Sequence, residues 1–196
     1  MDSKTTYYDD PKNVADYIQM AEGYNGKELI QLLQEFLPSG SAVLELGMGP
    51  GVDLDLLAAH FNVTGSDQSQ LFLDRYRASH PQADLLRLDA VTLDTPRRFD
   101  AIYSNKVLHH LTRNELAASF QRQAYLLNPG GMVLHSFWVG DTEEDYPGMT
   151  AVYYTEATLT HAIGGAFEIL ALTTYAEMDE GDSLYCVCRK KETNTP

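Results

Sequence analysis

Three glycines stand at alternate positions in Gly47-Met48-Gly49-Pro50-Gly51, directly after the apolar run Val43-Leu44-Glu45-Leu46. Glycine is needed where backbone passes close to a ligand or adopts a positive φ, so a buried strand emptying into such a turn suits a bound small molecule. A dinucleotide fingerprint would place its third glycine at Val52, and no Gly-Lys-Ser/Thr offers a phosphate cradle. The same glycines also serve a tight strand-to-helix crossover that binds nothing. The acids that follow change the weighting. Asp67 ends the run Val63-Thr64-Gly65-Ser66-Asp67, where a carboxylate can accept hydrogen bonds from ribose hydroxyls; its plainer role is an acid at a helix N-terminus. Asp89 follows Leu86-Arg87-Leu88, a position from which a side chain reaches a base.

Such residues act together only if the ends of successive strands are brought side by side. Apolar residues at helical spacing over 28–37 predict an amphipathic helix that Pro38-Ser39-Gly40 ends. Strand-like runs at 42–46, 63–66, 85–88 and 101–104 then alternate with helical stretches at 52–61 and 70–79, which predicts a parallel sheet covered on both faces. Thr112 and Glu115 have capping-box spacing for a helix to about 127, stopped by Asn128-Pro129-Gly130-Gly131 before a strand at 132–137. Residues 138–150 read as a loop crowded with Asp141, Glu143, Glu144 and Asp145, and Thr155 caps a helix to about 163. Runs at 168–178 and 183–190, joined by Asp179-Glu180-Gly181-Asp182, suit an antiparallel hairpin. The expectation is one domain over 1–196: a tyrosine-rich helical cap over 1–40, an α/β core over 41–190 and a frayed tail over 191–196.

Composition narrows the partners. The 196 residues are 44% hydrophobic and 21% charged, and no window holds the roughly 20 apolar residues of a membrane helix. A net charge of −14 repels phosphate backbones, so neither a nucleic acid nor a membrane is expected as a partner. Cys186 and Cys188 are too few for a metal site, none is expected, and a reducing, cytoplasmic setting follows.

In order and spacing, residues 42–189 resemble the class I S-adenosylmethionine-dependent methyltransferases. The matching stretches are Val43 through Gly51, Asp67, Asp89-Ala90, Phe99-Asp100-Ala101-Ile102-Tyr103-Ser104-Asn105-Lys106-Val107-Leu108-His109-His110-Leu111, and Leu127-Asn128-Pro129-Gly130-Gly131. The resemblance implies a three-layer α/β/α sandwich, Rossmann-like and doubly wound, with a seven-stranded, mostly parallel sheet whose last strand is antiparallel. It implies that Glu45, Gly47, Gly49 and Gly51 surround the methionine portion of S-adenosylmethionine and that Asp67 holds the ribose. Asp89 and Ala90 would contact the adenine, Asn105 and Val107 would lie beside the cofactor, and Met48 and Gln68 complete the set.

Transfer from a sulfonium is an in-line displacement in which alignment alone can supply on the order of 7 kcal/mol. A base is needed only for a hydroxyl or a protonated amine, and His109, His110 and His135 are the candidates, with Tyr8, Tyr146, Tyr153 and Tyr154 as walls. Packing or capping is the plainer role of each histidine. The expected activity is methyl transfer (EC 2.1.1.-) to a small-molecule acceptor by a monomer or homodimer. Alternatives are a protein acceptor, a non-catalytic S-adenosylmethionine-binding regulatory domain, and an NAD-dependent oxidoreductase, which Val52 and the terminal hairpin oppose. Asp67→Ala is expected to weaken cofactor binding without moving the melting temperature.

Overall fold

The structure is a computed structural model that describes residues 7–192; residues 1–6 of the cap and 193–196 of the expected tail lie outside the described residues. Two helices, α1 (Pro11–Met20) and α2 (Lys27–Phe36), precede β1 (Ala42–Leu46), α3 (Val52–Ala58), β2 (Asn62–Asp67), α4 (Gln70–Ser79), β3 (Leu85–Arg87) and β4 (Phe99–Asn105). Then follow α5 (Arg113–Leu126), β5 (Leu127–Trp138), β6 (Glu143–Tyr146), β7 (Met149–Val152), α6 (Glu156–Ile163), β8 (Phe167–Tyr175) and β9 (Ser183–Lys190).

Strand alternation sorts the core into two layers. Val43, Ala101, Leu134 and Val187 pack with Leu29, Ile30 and Leu33 of α2 and Leu57 of α3. Their neighbours Leu44, Ile102, Val133 and Cys188 pack on the opposite face with Leu116 and Phe120 of α5 and Leu159 and Ile163 of α6. A period of two buried on both faces is the pattern of a covered parallel sheet. Its seven strands run β3-β2-β1-β4-β5-β9-β8. Pairing is parallel from β3 through β5, and β9 is antiparallel to both β5 and β8. The seven-stranded sheet with its antiparallel last strand is therefore as expected.

Local signals place the helices. Thr112 and Glu115 form the full capping box of α5, and the Asp10 carboxylate accepts from the Lys12 N–H at the start of α1, where Pro11 needs no donor partner. Two expectations are corrected. The helix after the glycine turn ends at Ala58 rather than 61, because the Asn62 N–H pairs with the Ser41 carbonyl to begin β2. The stretch 138–150 is largely an antiparallel hairpin of β6 and β7 turning at Pro147-Gly148. Every residue of β6 is exposed, so no apolar alternation marked it. Among the described residues, no helix is long and apolar enough to cross a membrane.

Leu44 is 0% exposed at the centre of the sheet. Leu44→Ala is expected to cost about 2–5 kcal/mol by leaving a cavity, read as a lowered urea midpoint with an unchanged slope.

Candidate functional site

Strand order reverses between β1 and β4, and in open α/β sheets such a reversal leaves a crevice beyond the carboxyl ends of the two strands. The glycine turn leaves β1 there and Asn105 ends β4, with Glu45 in register with Tyr103. The turn is shaped by close contacts. A methyl group on Gly47 would lie 2.4 Å from Val107 Cγ1. Gly49, at φ +48, has among the described residues only the Tyr17 ring near such a methyl, at 3.6 Å, so core residues do not fill the space above it. Gly51 is the N-cap of α3.

Acids gather around this turn. Glu45 is 3% exposed and its Oε2 has no hydrogen-bond partner among the described residues. Burial and the charges of Asp53, Asp67 and Asp55 push its carboxyl well above the ordinary range. Asp53 accepts from the Gly26 N–H at 2.7 Å, the Tyr103 hydroxyl at 2.8 Å and the Asn105 amide at 3.3 Å. Asp67 accepts from the Gly49 N–H at 3.0 Å and the Ser69 N–H at 2.8 Å; burial raises its pKa while these N–H groups pull it down. Asp67 thus ties the turn to the start of α4.

Over these acids lies the N-terminal arm. The Tyr17 phenol is pushed up by burial and by the charges of Asp67, Asp53 and Glu45. Tyr8 meets Tyr17, Phe72 and His110 at ring-centroid distances of 5.4, 5.7 and 6.5 Å, and its carbonyl accepts from the Ser69 hydroxyl at 2.7 Å. The Tyr7 N–H bonds the Gly148 carbonyl of the β6–β7 turn, so the arm spans the crevice from α4 to that hairpin.

The remaining expected residues divide. Asn105 accepts from the Ser136 hydroxyl at 2.6 Å, and Val107 abuts Gly47, so both flank the crevice. The Asp89 Oδ1 caps the N–H groups of Val91 and Thr92, and the Ala90 carbonyl accepts from Ser119. Gln68 is exposed, with its carbonyl held by Arg87. Met48 is corrected: its side chain packs with Leu54, Leu73 and Tyr76, leaving only backbone for the turn. His135 is corrected too. Its ring is 0% exposed, Ser104 Oγ lies 2.8 Å from Nδ1 and Gln123 Oε1 lies 2.7 Å from Nε2, so both nitrogens are engaged in the core. Burial drops its pKa to about 3.

His109 and His110 lie 3.9 Å apart in the turn after β4. Burial holds the His109 pKa well below the ordinary value, and its Nδ1 has no partner among the described residues. His110 Nδ1 lies 2.9 Å from the Thr150 carbonyl and so must carry the hydrogen, which leaves the Nε2 lone pair available. Burial lowers the His110 pKa, opposed by that bond. Asp53, Tyr103 and Tyr17 went unrecognised in the sequence; Asp53, two residues past the last glycine, reads there as an ordinary first-turn acid.

A methyltransferase-domain family model matches residues 43–131. A tRNA (carboxymethyluridine(34)-5-O)-methyltransferase of Arabidopsis thaliana is 36% identical over 112 residues, 56% of this chain and 27% of that protein. A trans-aconitate 2-methyltransferase of Variovorax paradoxus is 31% identical over 140 residues, 69% of this chain and 53% of that protein. The chain thus spans from about a quarter to about half the length of these two relatives. The fold is that of the N-methyltransferase NodS from Bradyrhizobium japonicum, with a TM-score of 0.74 at 18% identity, covering 96% of this chain and 100% of that one. Residues 43–131 thus match a methyltransferase domain, and the chain has the fold of S-adenosylmethionine-dependent methyltransferases.

Glu45 binds a proton more readily folded than unfolded, so its charge costs stability as pH rises above the ordinary carboxylate range. Glu45→Gln is expected to raise the melting temperature of the free protein at pH 8, with the gain shrinking as pH falls toward that range. An equal melting temperature at pH 8 would show that the buried carboxylate carries no penalty.

Proposed function

We propose that this protein transfers a methyl group from S-adenosylmethionine to a small-molecule acceptor. The observation that carries the reading is the buried Glu45 carboxylate, whose Oε2 has no partner among the described residues and which feels the charges of Asp53 and Asp67. A crevice with this surplus of negative charge calls for a cation, and S-adenosylmethionine brings an ammonium and a sulfonium. NAD would bring two phosphates into the same acids, which argues against the oxidoreductase alternative.

When bound, S-adenosylmethionine supplies a methyl group on a good leaving group. The chain's own work is to bind, align and exclude water. Glu45 and the turn receive the amino-acid end, Asp67 the ribose, and Asn105 and Val107 border the reacting centre. Asp89 and Ala90 stand at the adenine end. Tyr8 and Tyr17 cover the crevice, and His110 Nε2 is the group available to take a proton from an acceptor that carries one. Cys186 and Cys188, free and buried, suit a reducing cytoplasm. The tRNA-modifying relative raises an RNA acceptor as a second reading; the net charge of −14 weighs against it.

Isothermal titration with S-adenosylmethionine, S-adenosylhomocysteine and NAD in parallel tests the proposal. Micromolar binding of the two adenosyl compounds and none of NAD is expected; binding of NAD alone would reverse the assignment. Gly49→Val is expected to fold, with strain from its positive φ, yet to lose adenosyl binding, whereas retained binding would make the turn purely structural.

A further inference from the structure

The glycine turn and its acids occupy the β1–β2 side of the crevice, and Lys106, between Asn105 and Val107, turns the other way. It follows Asn105 at φ +54, a conformation that a lysine keeps only when its surroundings hold it there. The Lys106 N–H donates to Ser136 Oγ at 3.0 Å, and the ammonium donates to the Phe137 carbonyl at 2.9 Å and to Ser183 Oγ. The ammonium lies 3.7 Å from the Trp138 ring centroid and 5.3 Å from that of Tyr175. Among the described residues, no carboxylate forms an ion pair with it. The acids whose charge it feels, Glu177 and Asp182, are engaged elsewhere. Glu177 accepts from the Tyr175 hydroxyl at 2.8 Å, and Asp182 accepts from the N–H groups of Glu177, Met178 and Asp179. Burial lowers the Lys106 pKa to about 8, a sign that the cation is desolvated without full compensation.

Position gives this cation its use. Val107 turns back against Gly47, while Lys106 lies over the ends of β5, β8 and β9. An in-line acceptor must approach from the side away from the leaving sulfur, and with a sulfonium drawn to the acids beside the glycine turn that approach would come from the Lys106 side. Tyr175, which lies 5.3 Å from the ammonium, also lines an open cavity of about 300 Å³ together with residues 23–29.

Resting on the methyltransferase reading, we propose that Lys106, between Trp138 and Tyr175, recognises a carboxylate on the methyl acceptor and that this carboxylate is the methylated group. One oxygen accepts from the ammonium. The other forms the O–CH3 bond as the C–S bond breaks, its electron pair staying on sulfur; the products are a methyl ester and a neutral thioether, and no proton is released. A carboxylate is already ionised at neutral pH, so transfer needs no base and His110 acts as a wall. The acids trans-aconitate and carboxymethyluridine, for which two relatives are named, belong to this chemical class.

The test uses the full chain, methyl-labelled S-adenosylmethionine and two probes: trans-aconitate, and an anion-exchange fraction of cellular small molecules with or without prior carbodiimide amidation. The wild type is expected to label a product that releases methanol in mild alkali, and amidation abolishes it. Lys106→Met is expected to lower kcat/KM at least about tenfold, chiefly through KM, with Lys106→Arg partly restoring it. Affinities for S-adenosylhomocysteine and for 5′-methylthioadenosine, which lacks the amino-acid end, stay unchanged and report that the variants fold. Alkali-stable product, product surviving amidation, transfer to neither probe, or full activity in Lys106→Met overturns the proposal. A selective loss of S-adenosylhomocysteine over 5′-methylthioadenosine also overturns it, because Lys106 would then hold the cofactor's own carboxylate. A wild type that binds neither adenosyl compound removes the methyltransferase reading itself.

Discussion

Glu45, Asp53 and Asp67 crowd one strand edge, and burial there removes the water that would screen their charges from one another. Two of the three are held by donors that also fasten the site. Through Asp53 the entry to α2 is joined to the ends of β4, and through Asp67 the glycine turn is joined to α4. Glu45 has no such donor among the described residues, so the local structure is set while its electrostatics stay incomplete. A cation that binds only the folded state would satisfy the acid and stabilise the protein in one step, which couples ligand binding to melting.

The sheet keeps these acids in place through its register. Glu45 lies between Gly65 of β2 and Tyr103 of β4, and a slip of one residue would turn it to the opposite face and bring Leu44 or Leu46 to the Asp53 side. Burial of Leu44 and Leu46 beneath α5 and α6 opposes that slip, so packing far from the crevice fixes the direction of a carboxylate inside it. The arm contributes differently. Its rings and the Ser69 bond lay Tyr8 and Tyr17 across an opening that the strands alone leave to solvent.

Much of this was legible in the residues. Glycine spacing, acids at the strand ends, capping boxes and alternating apolar runs each have a local cause, and the covered parallel sheet and the terminal hairpin followed from them, whereas the seven-stranded sheet was implied by the family resemblance. What escaped depends on contacts across long sequence separations. Asp53 acquires its role only when Gly26, Tyr103 and Asn105 converge on it, and Met48 and His135 change from site residues to core residues through partners no local pattern announces. The β6–β7 hairpin was hidden for another reason: with β6 exposed along its whole length, nothing distinguishes it from a solvated acidic loop. Lys106 reads as an ordinary polar residue until Trp138, Tyr175 and Ser183 close around it from three different strands or their ends.

The crevice is consequently divided by charge. Acids lie on the side of the glycine turn, and a desolvated ammonium lies on the side of β5, β8 and β9, with Asn105 between them. A sulfonium and a carboxylate would be drawn to opposite halves and held toward each other, and aromatic walls that exclude water strengthen both attractions. Esterification would then cancel the two reacting charges at once, leaving a thioether among the acids and an ester beside the ammonium. The acceptor half would lose the charge that attracted its ligand, and the acid half would keep only the ammonium of the thioether product, so the arrangement that favours the approach of the reactants weakens its hold on the products.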